Sequence, residues 1–289
     1  MTERVWQLGQ QQLKIGNRPL IMAIVNVTPD SFSDGGRLTD PQVAVDYALR
    51  MVEEGADLLD VGGESTRPGA TPVPLEEELA RVLPVVQALA QRTRVPISID
   101  TSKAEVARRC LEAGAAVVND VTGLTGDPAM PEVVRRYEAG AIIMHMQGTP
   151  ATMQQRPTYH DVVAEVGEYL QSRLRQLEAI GIAATRLAVD PGIGFGKTSQ
   201  HNLQLLAYLG TFGQTGRPVC LGVSRKGITG FFNQRPVHER LAGSLALAVR
   251  AITLKQAQIL RVHDVRATFD AVTLCAAIDA INPHNPEPA

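Results

Sequence analysis

The sequence predicts a single-domain (β/α)8 barrel, and three observations support the prediction. Eight short apolar runs recur along the 289 residues, as expected for strands that are buried on both faces of a parallel sheet. Segments with helical periodicity alternate with these runs. Most runs end on a polar residue that opens a loop. Regular alternation of strands and helices over this length is typical of a barrel.

The chain begins with an alternating segment, VWQLGQQQLKI, that turns at Gly9 and predicts a β-hairpin over about residues 4–16. We expect this hairpin to plug the lower end of the barrel. The barrel strands are predicted at residues 20–27, 58–61, 97–99, 117–118, 141–144, 187–189, 218–222 and 259–262. The single domain spans residues 1–289 and ends in a frayed tail at about 282–289.

The helices are predicted from apolar residues at helical spacing. They are expected at residues 41–54, 76–91, 129–137, 162–180 and 237–256, with a last helix that ends near residue 281. Another helix follows the third barrel strand, where Ser102 and Glu105 form a capping-box pattern. A doubly wound sheet is the alternative fold. It would require a glycine-rich fingerprint after the first strand, where this chain has TPDSFSDGG instead.

Composition argues against several classes of function. Hydrophobic residues make up 44% of the chain, which is enough for a large core, and the net charge is −2 with no basic block. We therefore expect neither a nucleic-acid partner nor binding to an anionic membrane surface. No apolar run is long enough to span a membrane, and the N-terminal residues lack the layout of a secretory signal.

The cysteines are also uninformative about a metal or redox function. Cys110, Cys220 and Cys275 are widely spaced and form no metal-binding or redox motif. We interpret them as buried, inert thiols, which fits a cytoplasmic protein.

Polar residues at the ends of the predicted strands should meet, because the carboxyl ends of barrel strands share one face. These residues are Asn26, Asp60, Asp100, Asn119, His145, Asp190, Lys226, Arg261 and His263. In barrels this face holds the active site. The segment DPGIGFGK is the most informative, because Asp190 ends a buried strand with no local partner. A ligand edge rich in N–H groups is a good candidate for that partner.

The motifs NVTPDSFSDGG, DVGGESTRPGA, SIDTSK, VVNDVTG, MHMQGTP, DPGIGFGK, SRK and RVHDV together resemble those of the dihydropteroate synthase family, from about residue 20 to residue 281. The resemblance implies condensation of 6-hydroxymethyl-7,8-dihydropterin diphosphate with 4-aminobenzoate to give 7,8-dihydropteroate and diphosphate. It further implies assistance by Mg²⁺, inhibition by sulfonamides that mimic the aminobenzoate, and a homodimer formed through the late helices. The apolar helix at residues 241–257 is compatible with such an interface.

The resemblance assigns the pterin to residues whose chemistry suits it. Asp190 can accept two N–H groups of the aminopyrimidinone edge, and Asn119 can both donate and accept. Asp100 can accept a further N–H and stabilise positive charge on the pterin as diphosphate leaves. Lys226 can reach the ring carbonyl or N5. Met144 and Gly222, at the ends of the fifth and seventh strands, complete the expected pterin site.

The diphosphate requires cations and donors. Arg261 and His263 follow the eighth strand, where barrels often bind phosphate, and Arg67 lies on the second loop. Asn26 offers a carbonyl oxygen to Mg²⁺, which also takes phosphate oxygens and keeps waters.

The aminobenzoate site is expected to contain Thr66, Arg67, Pro68, Phe195, Lys226 and Gly227. Thr66 and Arg67 join Asp100 and Lys226 as expected catalytic residues. Gly227 departs from the family, which usually has a serine or a larger polar residue there. Backbone N–H groups at a helix start can still bind the carboxylate.

Other polar residues have simpler interpretations. Asp120 and Asp264 are interpreted as helix caps or loop ligands, and Asp60 as a residue that holds a loop or Arg67. The structural alternative for Arg261 is a buried pairing with Asp60 or Asp100. His145 packs or holds the adjacent loop. The loops at residues 28–37 and 62–74 have few apolar anchors and are expected to close only once diphosphate is bound.

Two rival functions are open. A methyltetrahydrofolate-dependent methyltransferase would share the positions of Asp100, Asn119 and Asp190 but would need no diphosphate site. A non-catalytic pterin-binding relative would be marked by loss of Asn26, Thr66, Arg67 or His263, and this chain has all of them.

Overall fold

The computed structural model describes residues 4–28 and 40–281. An antiparallel hairpin of β1 (Arg4–Leu8) and β2 (Gln11–Ile15) precedes an eight-stranded parallel sheet. The parallel strands are β3 (Leu20–Asn26), β4 (Leu58–Gly62), β5 (Ile97–Asp100), β6 (Val117–Asp120), β7 (Gly140–Met144), β8 (Leu187–Asp190), β9 (Cys220–Leu221) and β10 (Ile259–Val262). The sheet runs from β8 through β3 to β10 and β9, and a bridge between Val189 and Val219 closes it into a barrel.

Helices cover the outside of the barrel. They are α1 (Pro41–Glu53), α2 (Leu75–Arg92), α3 (Ala104–Glu112), α4 (Met130–Arg136), α5 (Val162–Ala179), α6 (Ser199–Ala207), α7 (Gly227–Gly230), α8 (Leu241–Thr253) and α9 (Val265–Ala280). Within residues 4–28 and 40–281, no helix combines the length and the apolar character that crossing a membrane requires. The (β/α)8 prediction is confirmed. The predicted first loop beyond Thr28 and the tail at 282–289 lie outside the described residues.

Three local predictions are wrong. Ser102 does not cap α3, because Lys103 occupies the N-cap position and Asp127 accepts the Ala104 N–H at 2.9 Å from the neighbouring loop. The helix predicted at residues 237–256 is split into a 3-10 turn (Val237–Glu239) and α8. The seventh barrel strand is shorter than predicted, since Pro218 has no N–H to give to a ladder.

Side-chain alternation divides the interior into two cores. One lies between the sheet and the helices, and the other fills the barrel with the inward-facing residues Met22, Leu58, Val117, Ile142, Ala188, Cys220 and Ile259. The predicted plug is present at the lower end, where Trp6 is completely buried and its ring N–H donates to the Arg186 carbonyl at 2.9 Å.

The same alternation decides which polar residues point into the barrel. Side chains along a strand alternate between its two faces. The residues that lie two or four positions after an inward-facing barrel residue of the same strand therefore also face inward, at the upper end of the barrel. They are Asn26, Asp60, Asp100, Asn119, Met144, Asp190, Gly222, Arg261 and His263. Asp120, His145 and Asp264 fall on the helix-facing side. One face of the barrel therefore gathers the polar side chains that the sequence scatters over more than 230 residues.

Candidate active site

A cleft of about 1070 Å³ opens at the carboxyl ends of the barrel strands. Most predicted site residues line it: Asn26, Thr66, Arg67, Pro68, Asp100, Phe195, Gly222, Lys226, Gly227, Arg261 and His263. Asn119, Met144 and Asp190 are buried beneath this lining. Met144 and Asp190 lie side by side in the ladder between β7 and β8. The structure thus brings all fourteen predicted site residues to one end of the barrel.

A buried polar network forms the lower part of the cleft. Arg261 donates through Nε to Asp60 at 2.6 Å and through Nη2 to Asp100 at 2.5 Å. The amide of Asn119 donates to the same Asp60 oxygen at 3.0 Å. We call Asp60, Asp100, Asn119, Asp190, Gly222 and Arg261 the cleft floor. The expectation that Asp60 holds Arg67 is wrong, because Asp60 faces into the barrel and Arg67 lies exposed on the second loop.

Arg261 has a structural role besides the predicted contact with diphosphate. It is the bridge between two buried carboxylates on neighbouring strands, and it also lines the cleft. Burial raises the pKa of Asp100 to about 7, although the adjacent Arg261 acts in the opposite direction. The carboxylate is thus buried beside a cationic partner, Arg261, and lines the cleft.

Asp190 presents a carboxylate to the centre of the floor. One of its oxygens, Oδ1, accepts the Gly192 N–H at 2.7 Å. Burial raises the pKa of Asp190, opposed first by the charge of Lys226. A methyl group added at Gly222 would lie 3.9 Å from the second oxygen of Asp190 and 3.5 Å from Lys226 Nζ. Gly222 therefore places no side chain between the carboxylate and the ammonium, which leaves room there for a ligand.

One wall of the cleft is formed by the loop after β8. Lys226 Nζ donates to the Ile193 carbonyl at 2.6 Å and lies 4.7 Å from the centre of the Phe195 ring, a cation–π distance. Burial lowers the pKa of Lys226 to about 8 against the opposing charge of Asp190. Gln154 also fixes the loop, by donating to the Gly194 carbonyl at 2.8 Å. Side-chain hydrogen bonds from two other segments of the chain therefore hold the wall in place.

Lys197 is a buried residue that the sequence did not predict to hold this wall. Its side chain is buried, and Nζ donates to the carbonyls of Phe195 at 2.9 Å and His145 at 3.2 Å. Nζ also lies 3.0 Å from His145 Nδ1. Burial lowers the pKa of Lys197 to about 7 and that of His145 to about 3. The prediction that His145 packs or holds a loop is confirmed, because it also packs edge-on against Tyr169. The signal in the sequence was a lysine that closes a glycine-rich loop.

The second loop, residues 63–74, is fixed at its base. Lys103 binds the carboxylates of Glu64 and Glu78, the latter completely buried and 2.6 Å from Nζ. The other oxygen of Glu64 accepts the Val73 N–H at 3.3 Å, so that one residue joins both ends of the loop. Thr66 is half-buried, whereas Arg67 and Pro68 are exposed at the tip. We call Glu64, Lys103 and Glu78 the clamp. It was not predicted, because no local sequence pattern indicates that the TSK and GGE segments meet.

His263 and Gly227, which were predicted to meet the diphosphate and the aminobenzoate carboxylate, both line the cleft. His263 Nδ1 lies 3.1 Å from Ser224 Oγ, and burial together with the charges of Arg261 and Arg225 lowers the pKa of His263 to about 3. The ring is therefore neutral at pH 7 and offers a dipolar donor, not a charge. Gly227 begins α7, which is a single turn, and a methyl group there would meet nothing within 4 Å.

Asp120 and Asp264, which were predicted to be helix caps or loop ligands, are both loop ligands. Asp120 is a loop ligand, because it accepts from both the N–H and the hydroxyl of Thr122 at 2.7 Å. Asp264 occupies the N-cap of α9 but makes no capping hydrogen bond. Instead its carboxylate pairs with Arg225, because the helix-facing side of the loop after β10 meets the loop after β9.

Comparisons with known proteins agree with this geometry. The family model for pterin binding enzymes matches residues 22–263. The dihydropteroate synthase of Escherichia coli is 48% identical to this chain over 261 residues, covering 90% of the chain and 92% of that enzyme. This chain belongs to the dihydropteroate synthase family.

Solved structures of the family superpose closely on the chain. The dihydropteroate synthase of Yersinia pestis, in a complex with a sulfonamide drug, has a TM-score of 0.91 and 43% identity, covering 96% of this chain and 99% of that one. The enzyme of Xanthomonas albilineans, in complex with 7,8-dihydropteroate, has a TM-score of 0.86 and 44% identity, covering 96% of this chain and 100% of that one.

Proposed function

We propose that the chain condenses 6-hydroxymethyl-7,8-dihydropterin diphosphate with 4-aminobenzoate, giving 7,8-dihydropteroate and diphosphate. The observation that supports this most directly is the room that Gly222 leaves between the Asp190 carboxylate and the Lys226 ammonium group, in a cleft of about 1070 Å³. A pterin is a planar ring with N–H donors on one edge and acceptors on the other. The relative from Xanthomonas albilineans binds 7,8-dihydropteroate, the product of this reaction.

The floor recognises the pterin by complementary hydrogen bonds. Asp190 accepts from adjacent N–H groups in a charge-assisted pair, and Asn119 supplies an amide oxygen and N–H to the neighbouring ring positions. Lys226 exchanges its bond to the Ile193 carbonyl for the ring carbonyl or N5. Met144, next to Asp190 in the ladder, packs against the ring.

The reaction breaks the bond between the pterin methylene carbon and the diphosphate oxygen, and the electron pair leaves with diphosphate. Asp100 stabilises the positive charge that develops on the pterin. The amine nitrogen of 4-aminobenzoate then attacks the methylene carbon and loses one proton. Arg67, Arg261 and His263 hold the departing anion with two cationic groups and one neutral donor.

Magnesium is part of this proposal. In the described part of the chain, no three His, Cys, Asp or Glu residues converge closely enough to hold a metal ion by themselves. Mg²⁺ needs few protein ligands when a substrate supplies phosphate oxygens. Asn26 lines the cleft at the end of β3, and its carbonyl oxygen would hold the ion beside the diphosphate. The ion would neutralise charge on the leaving group.

The second substrate would lie between the wall and the second loop. Phe195, Pro68 and the stem of Lys226 form the sides of a slot for the aromatic ring, and Thr66 and Arg67 approach the amine and the anion. Backbone N–H groups at Gly227 would receive the carboxylate. Because α7 is a single turn, the contribution of a helix dipole is small and the carboxylate site is open to solvent.

Assembly and location complete the proposal. Leu274 and Ile278 on α9 are exposed by 63% and 60%, and Leu254 follows α8 with 47% exposure. This apolar surface supports a homodimer formed through the late helices. Cys110 and Cys220 are buried as predicted, whereas the prediction for Cys275 is wrong, because it is only half-buried on α9. All three are free thiols, which supports a reducing, cytoplasmic location.

The two rival functions do not account for the polar residues that line the cleft. A methyltransferase that uses methyltetrahydrofolate has no use for the donors at His263 and Arg67, and a non-catalytic relative would not keep Asn26 and Thr66 in the cleft. The deciding experiment measures diphosphate release from the pterin diphosphate. Release that depends on 4-aminobenzoate and yields dihydropteroate supports the proposal, and its absence in the folded protein contradicts it.

A further inference from the structure

The loop after β9 enters the cleft through a residue with an unusual backbone. Arg225 has a φ angle of +58°, in the left-handed region that residues other than glycine rarely adopt. The next residue is Lys226, whose ammonium group lies in the cleft beside Asp190 and Phe195. Strained backbone of this kind persists where its surroundings hold it, and it clusters at functional sites.

Hydrogen bonds fix both the backbone and the side chain of Arg225. The guanidinium donates through Nε to Asp264 at 2.9 Å and through Nη2 to the other oxygen of the same carboxylate. The backbone N–H donates to Ser244 Oγ at 2.9 Å, and the backbone carbonyl accepts from Arg240 Nη1 at 3.1 Å. The conformation of Arg225 is therefore set by α8 and by the loop after β10.

The preceding residue makes a parallel connection. Ser224 Oγ accepts the His263 N–H at 3.1 Å and lies at the same distance from His263 Nδ1. Residues 224 and 225 are thus joined to residues 263 and 264, one pair on the barrel side and the other on the helix side. Strand β9 has only two residues, and its pairing with β10 ends at Leu221. The bonds from residues 224 and 225 continue this connection up to the cleft.

We propose that Arg225 is a positioning residue for Lys226. Its left-handed backbone, held by Asp264 and Ser244, directs the side chain of Lys226 toward the Ile193 carbonyl and the Phe195 ring. The proposal rests on the proposed function, in which Lys226 contacts the pterin. If the ion pair with Asp264 is removed, Arg225 can relax to an ordinary conformation. The Cα–Cβ bond of Lys226 then turns away from the floor.

A double-mutant cycle tests whether Arg225 acts through Lys226. Binding of 6-hydroxymethyl-7,8-dihydropterin is measured by calorimetry for the wild type, Arg225→Ala, Lys226→Ala and the double variant. We expect Arg225→Ala to weaken binding about tenfold, Lys226→Ala to weaken it at least as much, and the double variant to match Lys226→Ala. A double variant that shows the sum of the two losses would overturn the proposal.

Further variants separate positioning from folding. Asp264→Asn leaves Arg225 in place but removes the charge of its partner, and its effect on binding should also vanish in the Lys226→Ala background. Arg225→Gly adopts the left-handed backbone without strain, so it should retain more affinity than Arg225→Ala; the reverse order would exclude a role for the backbone. Arg235→Ala is the matched control, because Arg235 is 60% exposed and pairs with Glu239 on the same segment. It should bind like the wild type.

The cycle also distinguishes this proposal from the one on which it rests. If Lys226→Ala leaves pterin affinity unchanged, the assignment of Lys226 is wrong and the positioning role falls with it. If Lys226→Ala weakens binding while Arg225→Ala and Asp264→Asn do not, the proposed function stands and the positioning role is refuted. Circular dichroism and the melting temperature of each variant confirm that only folded proteins are compared.

Discussion

The cleft floor and the second loop are built by different means. The floor is buried, and Arg261 crosslinks carboxylates from two strands within 2.6 Å. The second loop is fixed at its base by Glu64 and Lys103, but its tip carries Arg67 and Pro68 into solvent. We therefore expect the pterin half of the site to be preformed, whereas the part that the second loop contributes should be completed when ligands bind.

The largest expected effect is a difference in the free energy of unfolding between variants of Arg261, in the floor, and Arg67, on the second loop. Arg261→Ala leaves Asp60 and Asp100 buried without their partner, which should lower the free energy of unfolding by about 3–5 kcal/mol. Arg67→Ala removes an exposed side chain and should change it by less than about 0.5 kcal/mol. Urea denaturation measures both values. Equal losses in the two variants would contradict the distinction between floor and loop.

The two arginines should also differ in ligand binding. Arg67→Ala should weaken the pterin diphosphate while leaving 6-hydroxymethyl-7,8-dihydropterin unaffected, because Arg67 is expected to contact the diphosphate and not the pterin ring. Arg261→Ala should weaken both ligands, because Arg261 also holds Asp100 in the floor. If Arg67→Ala lost affinity for both ligands, the second loop would also contact the pterin ring.

The next effect concerns the acceptor in the floor. Asp190→Asn keeps the shape of the side chain but turns a donor toward the N–H edge of the pterin. A mispaired buried polar group costs about 1–3 kcal/mol, so calorimetry should show binding of hydroxymethyl-dihydropterin weakened by about five- to 150-fold. Circular dichroism should not change. Retained affinity would show that another residue holds the edge.

Two glycines provide a matched comparison of floor and rim. Gly222→Ala adds a methyl group that meets the protein only at ordinary contact distances, 3.5 Å or more, so the fold should be unaffected. The methyl would occupy the space of the pterin ring, and pterin affinity should fall by about tenfold. Gly227→Ser adds a hydroxyl in open space at the carboxylate site. It should strengthen 4-aminobenzoate binding a few-fold and leave the pterin unaffected, as competition calorimetry would reveal.

The smallest effect is a pH dependence of the floor. Burial lowers the pKa of Lys226 to about 8, so the ammonium is present below that pH and is lost as the pH rises through it. Pterin affinity should therefore decline a few-fold between pH 7 and pH 9. Lys226→Met should bind weakly at both pH values, without this decline. A decline that persists in Lys226→Met belongs to another group.

The alternation of apolar residues and the sequence motifs predicted which residues form the cleft floor, and the reason is physical. Each floor residue ends a strand whose apolar alternation reports which side faces inward, so Asp100, Asn119 and Asp190 can be placed from local sequence alone. The separation of Asp120 and Asp264 from the site follows from the same alternation. The fold followed from the order of strands and helices.

What the sequence did not predict depends on contacts between distant loops. For Arg261 the sequence left a choice between diphosphate and a buried pairing with Asp60 or Asp100, because a strand end does not show which partner it meets across the barrel. The Glu64–Lys103–Glu78 clamp and the burial of Lys197 share this origin. The failed cap at Ser102 has the same cause, since Asp127 reaches the helix from another loop.

The measurement that tests the distinction between a preformed floor and a ligand-completed rim is a pair of calorimetric titrations with 4-aminobenzoate. One uses the free protein, and the other uses protein saturated with diphosphate and Mg²⁺. If diphosphate closes the second loop through Arg67, the aminobenzoate should bind at least tenfold more tightly in the second titration, and diphosphate should be retained more tightly by the same factor. Equal affinities in the two titrations would show that the aminobenzoate site is as preformed as the floor.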